Sequence, residues 1–276
     1  MRQTLKILLI TIISFGLYYF INNLYFKNLF DWFLNLASIK AIGFFLTYFV
    51  IGTPLLTGLF FIHKPKSILN SLGINKGFIK GFFFAFLCTL PMLIGYSILF
   101  KFNSKISLNE IFIGAVFAAF FEELYFRGVL FGQVFRFTKI GFIPSIIFGA
   151  VLFASGHLRQ SSDFSVLIGI FITTFLGAIF FAWTYIEWDN NLWVSIGLHL
   201  FMNLHWMLFS AGDNALGGIY ANVFRAITIT LTIVGTILYK KHTGIRLVIN
   251  RNNLWINKTG YNNNVMRNKN ICLMIM

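Results

Sequence analysis

Apolar residues in this chain fall in long, nearly unbroken blocks, and short polar stretches separate them. A helix needs about 20 apolar residues to cross a hydrocarbon core about 30 Å thick. On that criterion the pattern predicts eight membrane spans, at about 4–21, 41–62, 78–100, 108–133, 142–160, 164–187, 191–209 and 219–240. The expected fold is an all-α, multi-pass membrane helical bundle over 1–242. A polar extension over 243–276, rich in Asn and Arg without a clear period, is expected to be a flexible cytoplasmic tail. The first block follows Arg2 and Lys6, as in a signal peptide, but no small-x-small cleavage pattern comes after it, so the helix is expected to be retained. Gly52 with Pro54, Pro91, and Gly141 with Pro144 punctuate the blocks and read as kinks or close-packing points.

Composition supports the membrane reading. The 276 residues are 58% apolar, 19% aromatic and 11% charged, against about 25% charged in an ordinary soluble domain. That excludes a secreted disulfide-rich domain and an ordinary cytosolic enzyme. The net charge of +14 does not point to nucleic acid, because the basic residues are spaced between apolar blocks and not gathered on one face. Their placement reads as topology: with the N-terminus inside, fifteen Lys and Arg fall on the cytoplasmic side and five on the other, while Arg127 and Arg225 fall within spans. Both termini are therefore expected in the cytoplasm. Cys88 and Cys272 cannot make a disulfide framework or a thiolate metal site on their own, and Cys88 is most simply a small core residue.

Ionisable side chains inside a span cost at least about 2.5 kcal/mol near the bilayer centre on insertion scales, so each needs a partner or a task. The fourth span places Glu122, Glu123 and Arg127 within six residues of an otherwise apolar helix. Glu123 and Arg127 are i and i+4, in the favourable order for an intrahelical pair. Glu122 lies about 100° around the helix and is free to face a neighbour. A desolvated carboxylate without its own cation is poised to accept a proton, which suits a general base. The fifth span supplies His157, and the seventh supplies His199 and Asn203, again i and i+4 on one stripe. His205 faces elsewhere and is left out of the site. Helical rise places the four polar residues about 11–22 Å from the expected cytoplasmic ends, in one layer. A carboxylate, two imidazoles and an amide from three helices form a hydrolytic constellation. The alternative at this level is a charge network that only clamps helices.

These residues resemble the CAAX prenyl endopeptidase and bacteriocin-processing family, the CPBP or Abi group of intramembrane proteases. Its pattern is Glu-Glu-x-x-x-Arg, Phe-x-x-x-His and His-x-x-x-Asn, matched here at Glu122, Glu123 and Arg127, at Phe153 and His157, and at His199 and Asn203. Three motifs in order across about 82 residues are specific, and the resemblance covers roughly 108–210. It implies a multi-helix fold with a polar cavity inside the membrane, and hydrolysis of a peptide bond. On that resemblance Glu122 activates water with His157 helping to hold it, and His199 and Asn203 stabilise the oxyanion. Glu123 and Arg127 give support.

The same resemblance allows a zinc enzyme with Glu122, His157 and His199 as ligands. The chain lacks His-Glu-x-x-His, so the favoured mechanism needs no cofactor, with zinc as the alternative. The expected partners are membrane lipid and a hydrophobic or lipid-modified peptide entering from the bilayer or the cytoplasmic face. The Phe, Ile, Asn and Lys bias points to an AT-rich bacterial genome, and the expected location is a bacterial inner membrane. Competing readings are a non-catalytic bacteriocin-immunity or scaffold protein and a proton-coupled transporter. The transporter lacks support because no matching halves are visible.

Overall fold

The computed structural model describes residues 2–257. Cys272 and the rest of 258–276 lie outside the described residues. The described chain forms nine helical rods: α1 (Arg2–Ala37), α2 (Lys40–Ile62), a short α3 (65–72), α4 (Phe78–Leu99), α5 (108–137), α6 (Phe142–Gln160), α7 (Phe164–Glu187), α8 (Leu192–Leu208) and α9 (Ile219–His242). Each expected span coincides with a rod, and among the described residues the one β feature is an antiparallel bridge between Ile140 and Ile256.

Six rods, α1, α2, α4, α6, α7 and α9, are long and apolar enough to cross a membrane by length and composition. The expected eight is not reached on that criterion. The shortfall falls on α8, with 17 residues, and on α5, which carries the charges and changes its helical pitch along its length.

The first helix runs well past the expected end at residue 21. Asn22, Asn23, Lys27 and Asp31 end the apolar block, but no proline breaks the helix until Ser38 turns at φ +57°. Its 36 residues span about 54 Å, longer than the hydrocarbon core. In α2, Pro54 removes a helical donor, and the Thr53 hydroxyl donates instead to the Val50 carbonyl at 2.7 Å. Gly52 just before it is required by its neighbour, since a Cβ there would fall 1.9 Å from the Tyr125 hydroxyl. That hydroxyl donates to the Tyr48 carbonyl at 2.8 Å.

The core is centred on α5. From Glu123 to Arg136 every residue but Phe126 is buried, so this rod is enclosed on all sides. Phe121, Tyr125, Phe131 and Phe135 pack there against Ile51, Leu55, Leu72 and Tyr185 from other rods. The outer surface is apolar, with side chains such as Ile13, Phe20, Phe83, Ile98 and Ile172 exposed, as a lipid solvent demands.

The rods alternate in direction and define two ends. At one end the α2–α4 segment meets the ends of α5, α7 and α9. Lys76 pairs with Asp189 at 3.0 Å, Arg136 donates to the carbonyl of Ser71 and to the Tyr185 hydroxyl, and Lys240 pairs with the buried Glu187. The chain after α9 begins as a docked segment at this end. The backbone N–H groups of Val248 and Ile249 donate to Glu187, each at 2.9 Å. The carbonyls of Asn253, Leu254 and Trp255 take the N–H groups of Phe142, Ile143 and Gly141 at 2.8–3.0 Å, so they satisfy donors that the start of α6 would otherwise leave open.

At the other end, Asn103 N–H donates to the Leu208 carbonyl at 2.7 Å, Arg159 to Asn23 at 3.2 Å, and Ala215 N–H to Gln160 Oε1 at 2.7 Å.

Candidate active site

Along α5 the α-helix widens to a π-helix twice, at Phe112–Phe117 and Glu123–Phe131. Such π segments occur frequently at functional sites. Glu122 is the last α-helical residue between them, and Glu123 opens the second. The apolar-block pattern contains no signal of this change in pitch.

The two acids have different environments. The Glu123 side chain is 0% exposed, as is that of Arg127, and its Oε1 lies 3.3 Å from Arg127 Nη1. The guanidinium also sits over the rings of Phe153 at 4.5 Å and Phe181 at 5.5 Å. Glu122 is 23% exposed and faces the cavity.

His199 on α8 joins both. Its Nδ1 is 2.8 Å from Glu123 Oε1 and its Nε2 is 3.9 Å from Glu122 Oε2. Its ring stacks on Phe181 with centroids 5.1 Å apart and planes 10° from parallel. Because Glu123 is held by a guanidinium, Nδ1 is the donor and Glu123 the acceptor. Nε2 is thereby turned to Glu122. Glu123, assigned from sequence to Arg127 alone, is thus also the carboxylate that orients His199.

His157 ends the α-helical part of α6. Its Nδ1 donates to the Phe153 carbonyl at 2.8 Å, so Nε2 is left as an acceptor. Phe153 therefore serves three contacts: its carbonyl orients His157, its ring lies 4.7 Å from that imidazole, and its face carries Arg127. Asn203, one turn beyond His199, donates through Nδ2 to the Gly114 carbonyl at 3.0 Å. Gly114 lies in the first π segment, and a Cβ there would meet Met207 at 2.8 Å, so the missing side chain lets α8 approach.

Glu122, His157, His199 and Asn203 all line one cavity of about 890 Å³. Most of its wall is apolar, from Met92, Phe153, Phe180, Met202, Trp206 and Ile229 among others. His205 does not line it and is buried beside Phe201.

The sequence noted Arg225 as a cation within a span but gave it no task. It also lines the cavity, donates to the Ala215 carbonyl at 2.9 Å and lies over the Trp206 ring at 4.4 Å. Ala215 is thus held from two sides, its N–H by Gln160 and its carbonyl by Arg225. Phe181, which backs both His199 and Arg127, carried no sequence signal, since it is one of several aromatics in an apolar block.

Among the described residues, no three His, Cys, Asp or Glu side chains converge as a metal-holding group. Of the three residues named for the zinc alternative, Glu122 and His199 approach each other, with Oε2 and Nε2 3.9 Å apart.

Comparison with curated proteins and with solved structures gives no match to this chain. Residues 104–205, the stretch that holds Glu122, Glu123, Arg127, Phe153, His157, His199 and Asn203, match the family model for Type II CAAX prenyl endopeptidase Rce1-like proteins.

Proposed function

We propose that this protein is an intramembrane endopeptidase that hydrolyses a peptide bond in a membrane-associated or lipid-modified peptide, using water activated by Glu122. The observation that carries the reading is the convergence of Glu122, His157, His199 and Asn203 on one largely apolar cavity within the matched domain. An apolar wall suits a hydrophobic or lipid-bearing segment, and a few convergent polar groups supply the chemistry. The protein is read as a multi-pass protein of a bacterial inner membrane, with both termini in the cytoplasm.

Each polar group has a defined part. Water lies between the Glu122 carboxylate and the acceptor Nε2 of His157. Glu122 removes one proton as the water oxygen bonds to the substrate carbonyl carbon. The carbonyl oxygen becomes an oxyanion facing His199 and Asn203. Asn203 uses one amide N–H on Gly114 and keeps the other for the oxyanion. For His199 to donate through Nε2 it must carry a second proton. When the C–N bond breaks, the proton held by Glu122 passes to the leaving amine, which restores the carboxylate. No metal is required in this scheme.

A second reading draws on the same residues. The Glu123–Arg127–His199 contacts also tie α5 to α8, as a non-catalytic scaffold or immunity protein would use them. The test is cleavage of membrane-peptide and prenyl-peptide panels by purified wild type and Glu122→Gln, with and without a zinc chelator. Wild-type cleavage that survives chelation and is lost in Glu122→Gln is expected. Full cleavage by Glu122→Gln refutes the assigned base, loss in chelator shifts the mechanism to zinc, and no cleavage by wild type favours the scaffold.

A further inference from the structure

The two ends of the bundle differ in charge and in access to the site. The Gly58 region of α2 packs on Ser14 of α1, so Arg2 and Lys6 lie at the end where α2 finishes. The same end holds Lys64, Lys66, Lys76, Lys80, Arg136 and Lys139 and the basic residues from Lys240 to Arg251, twelve in all among the described residues. The opposite end holds five: Lys27, Lys40, Lys101, Lys105 and Arg159. Lys and Arg concentrate on the cytoplasmic side of a membrane protein. The twelve-residue end is therefore cytoplasmic.

The cavity does not open there. Between the site and the basic end lies a packed layer in which Tyr185 and Leu192 are 0% exposed and Leu72 and Ile196 are 2% exposed. Arg136 closes that layer from below through its bonds to Ser71 and Tyr185. The cavity rises the other way. Its wall continues past Asn203 to Trp206 and Met207 and includes Gln160 and Gly212–Ala215 in the α8–α9 loop, and no residue of the basic end lines it. From Asn203 to the end of α8 is only about 8 Å of helix.

We propose that the catalytic cavity takes its substrate from the extracytoplasmic side, beneath the α8–α9 loop, and that the scissile bond belongs to a peptide segment presented at the outer membrane surface. This rests on the endopeptidase reading for its chemistry. It differs from the expectation from sequence, which was entry from the bilayer or the cytoplasmic face. A cytosolic peptide tail would have to cross the packed layer to reach Glu122.

The test is cysteine accessibility in intact bacterial cells expressing the full chain. Cys88 and Cys272 are first replaced by serine, and a single cysteine is placed at Ser162, an exposed position at the opposite end, or at Lys66, an exposed position at the basic end. A membrane-impermeant maleimide is expected to label Ser162→Cys in intact cells and Lys66→Cys only after permeabilisation. The reverse pattern, or labelling of both only after permeabilisation, overturns the proposal. If the cysteine-free background fails to accumulate, an epitope inserted after Ser162 in the otherwise native chain gives the same reading with antibody, bound before permeabilisation or only after it. Neither readout depends on cleavage, so failure here is distinguishable from failure of the protease reading.

Discussion

Glu123→Gln removes one charge from a site with no access to water. Glu123 and Arg127 are both 0% exposed and their charged atoms lie 3.3 Å apart. At an effective dielectric of about 20, that separation corresponds to about 5 kcal/mol of attraction. Desolvation of both ions offsets much of it while the pair is intact. Once Glu123 is neutral, Arg127 remains buried against two aromatic rings without its carboxylate, and breaking such a pair costs about 3–5 kcal/mol. The glutamine oxygen can still accept from His199 Nδ1, so the 2.8 Å bond weakens without vanishing. The expected result is a loss of about 3–5 kcal/mol in SDS-induced unfolding of the purified protein in mild detergent. Replacing both partners, Glu123→Gln with Arg127→Met, removes the stranded charge and should recover most of that loss. A single variant within about 1 kcal/mol of wild type, or a double variant less stable than the single, would refute the account of this cluster as a desolvated ion pair.

Three further outcomes follow from the same geometry. Asn203→Ala should lower kcat by about 10²-fold and leave residual turnover, because His199 still donates to the oxyanion; steady-state kinetics on any cleaved peptide checks this. Gly52→Ala places a methyl on the Tyr125 hydroxyl and should destabilise the protein by about 1–3 kcal/mol in the same unfolding assay, whereas Gly16→Ala, with open space around it, should not. At the basic end, burial is the main cause that holds His63 below the usual imidazole range; the bond to Gln133 opposes it and Arg136 adds to it. A lowered value in the folded protein means that the unfolded chain binds the proton first. The stability this gives is present above the unfolded value of about 6.5 and is lost as pH falls through the folded one. His63→Gln should flatten the pH dependence of unfolding on the acid side of neutrality.

Much of the molecule was legible along the chain. Apolar blocks located every long rod, within a few residues except at the end of α1, because a bilayer leaves the backbone no alternative to a helix. The motif residues were visible because ionisable groups inside such blocks are rare. The α1 extension was missed because polar residues end an apolar block without ending a helix. The docking of the chain after α9 was missed because Asn-rich sequence reads as unstructured until a partner, here Glu187 and the start of α6, takes its backbone groups.

Sequence by itself determined the helical class, the place of each rod along the chain and the polar residues around which a site could form, since hydropathy and i, i+4 spacing are properties of one segment at a time. Tertiary structure decided how those residues are used. That Glu123 binds His199 as well as Arg127, that Glu122 alone of the two acids faces the cavity, and that Arg225 and Gln160 hold Ala215 in its wall all depend on contacts between helices distant in the chain. The direction of opening has the same origin: it follows from which inter-helical layer is filled, and the packing of Tyr185, Leu192 and Leu72 closes the basic end.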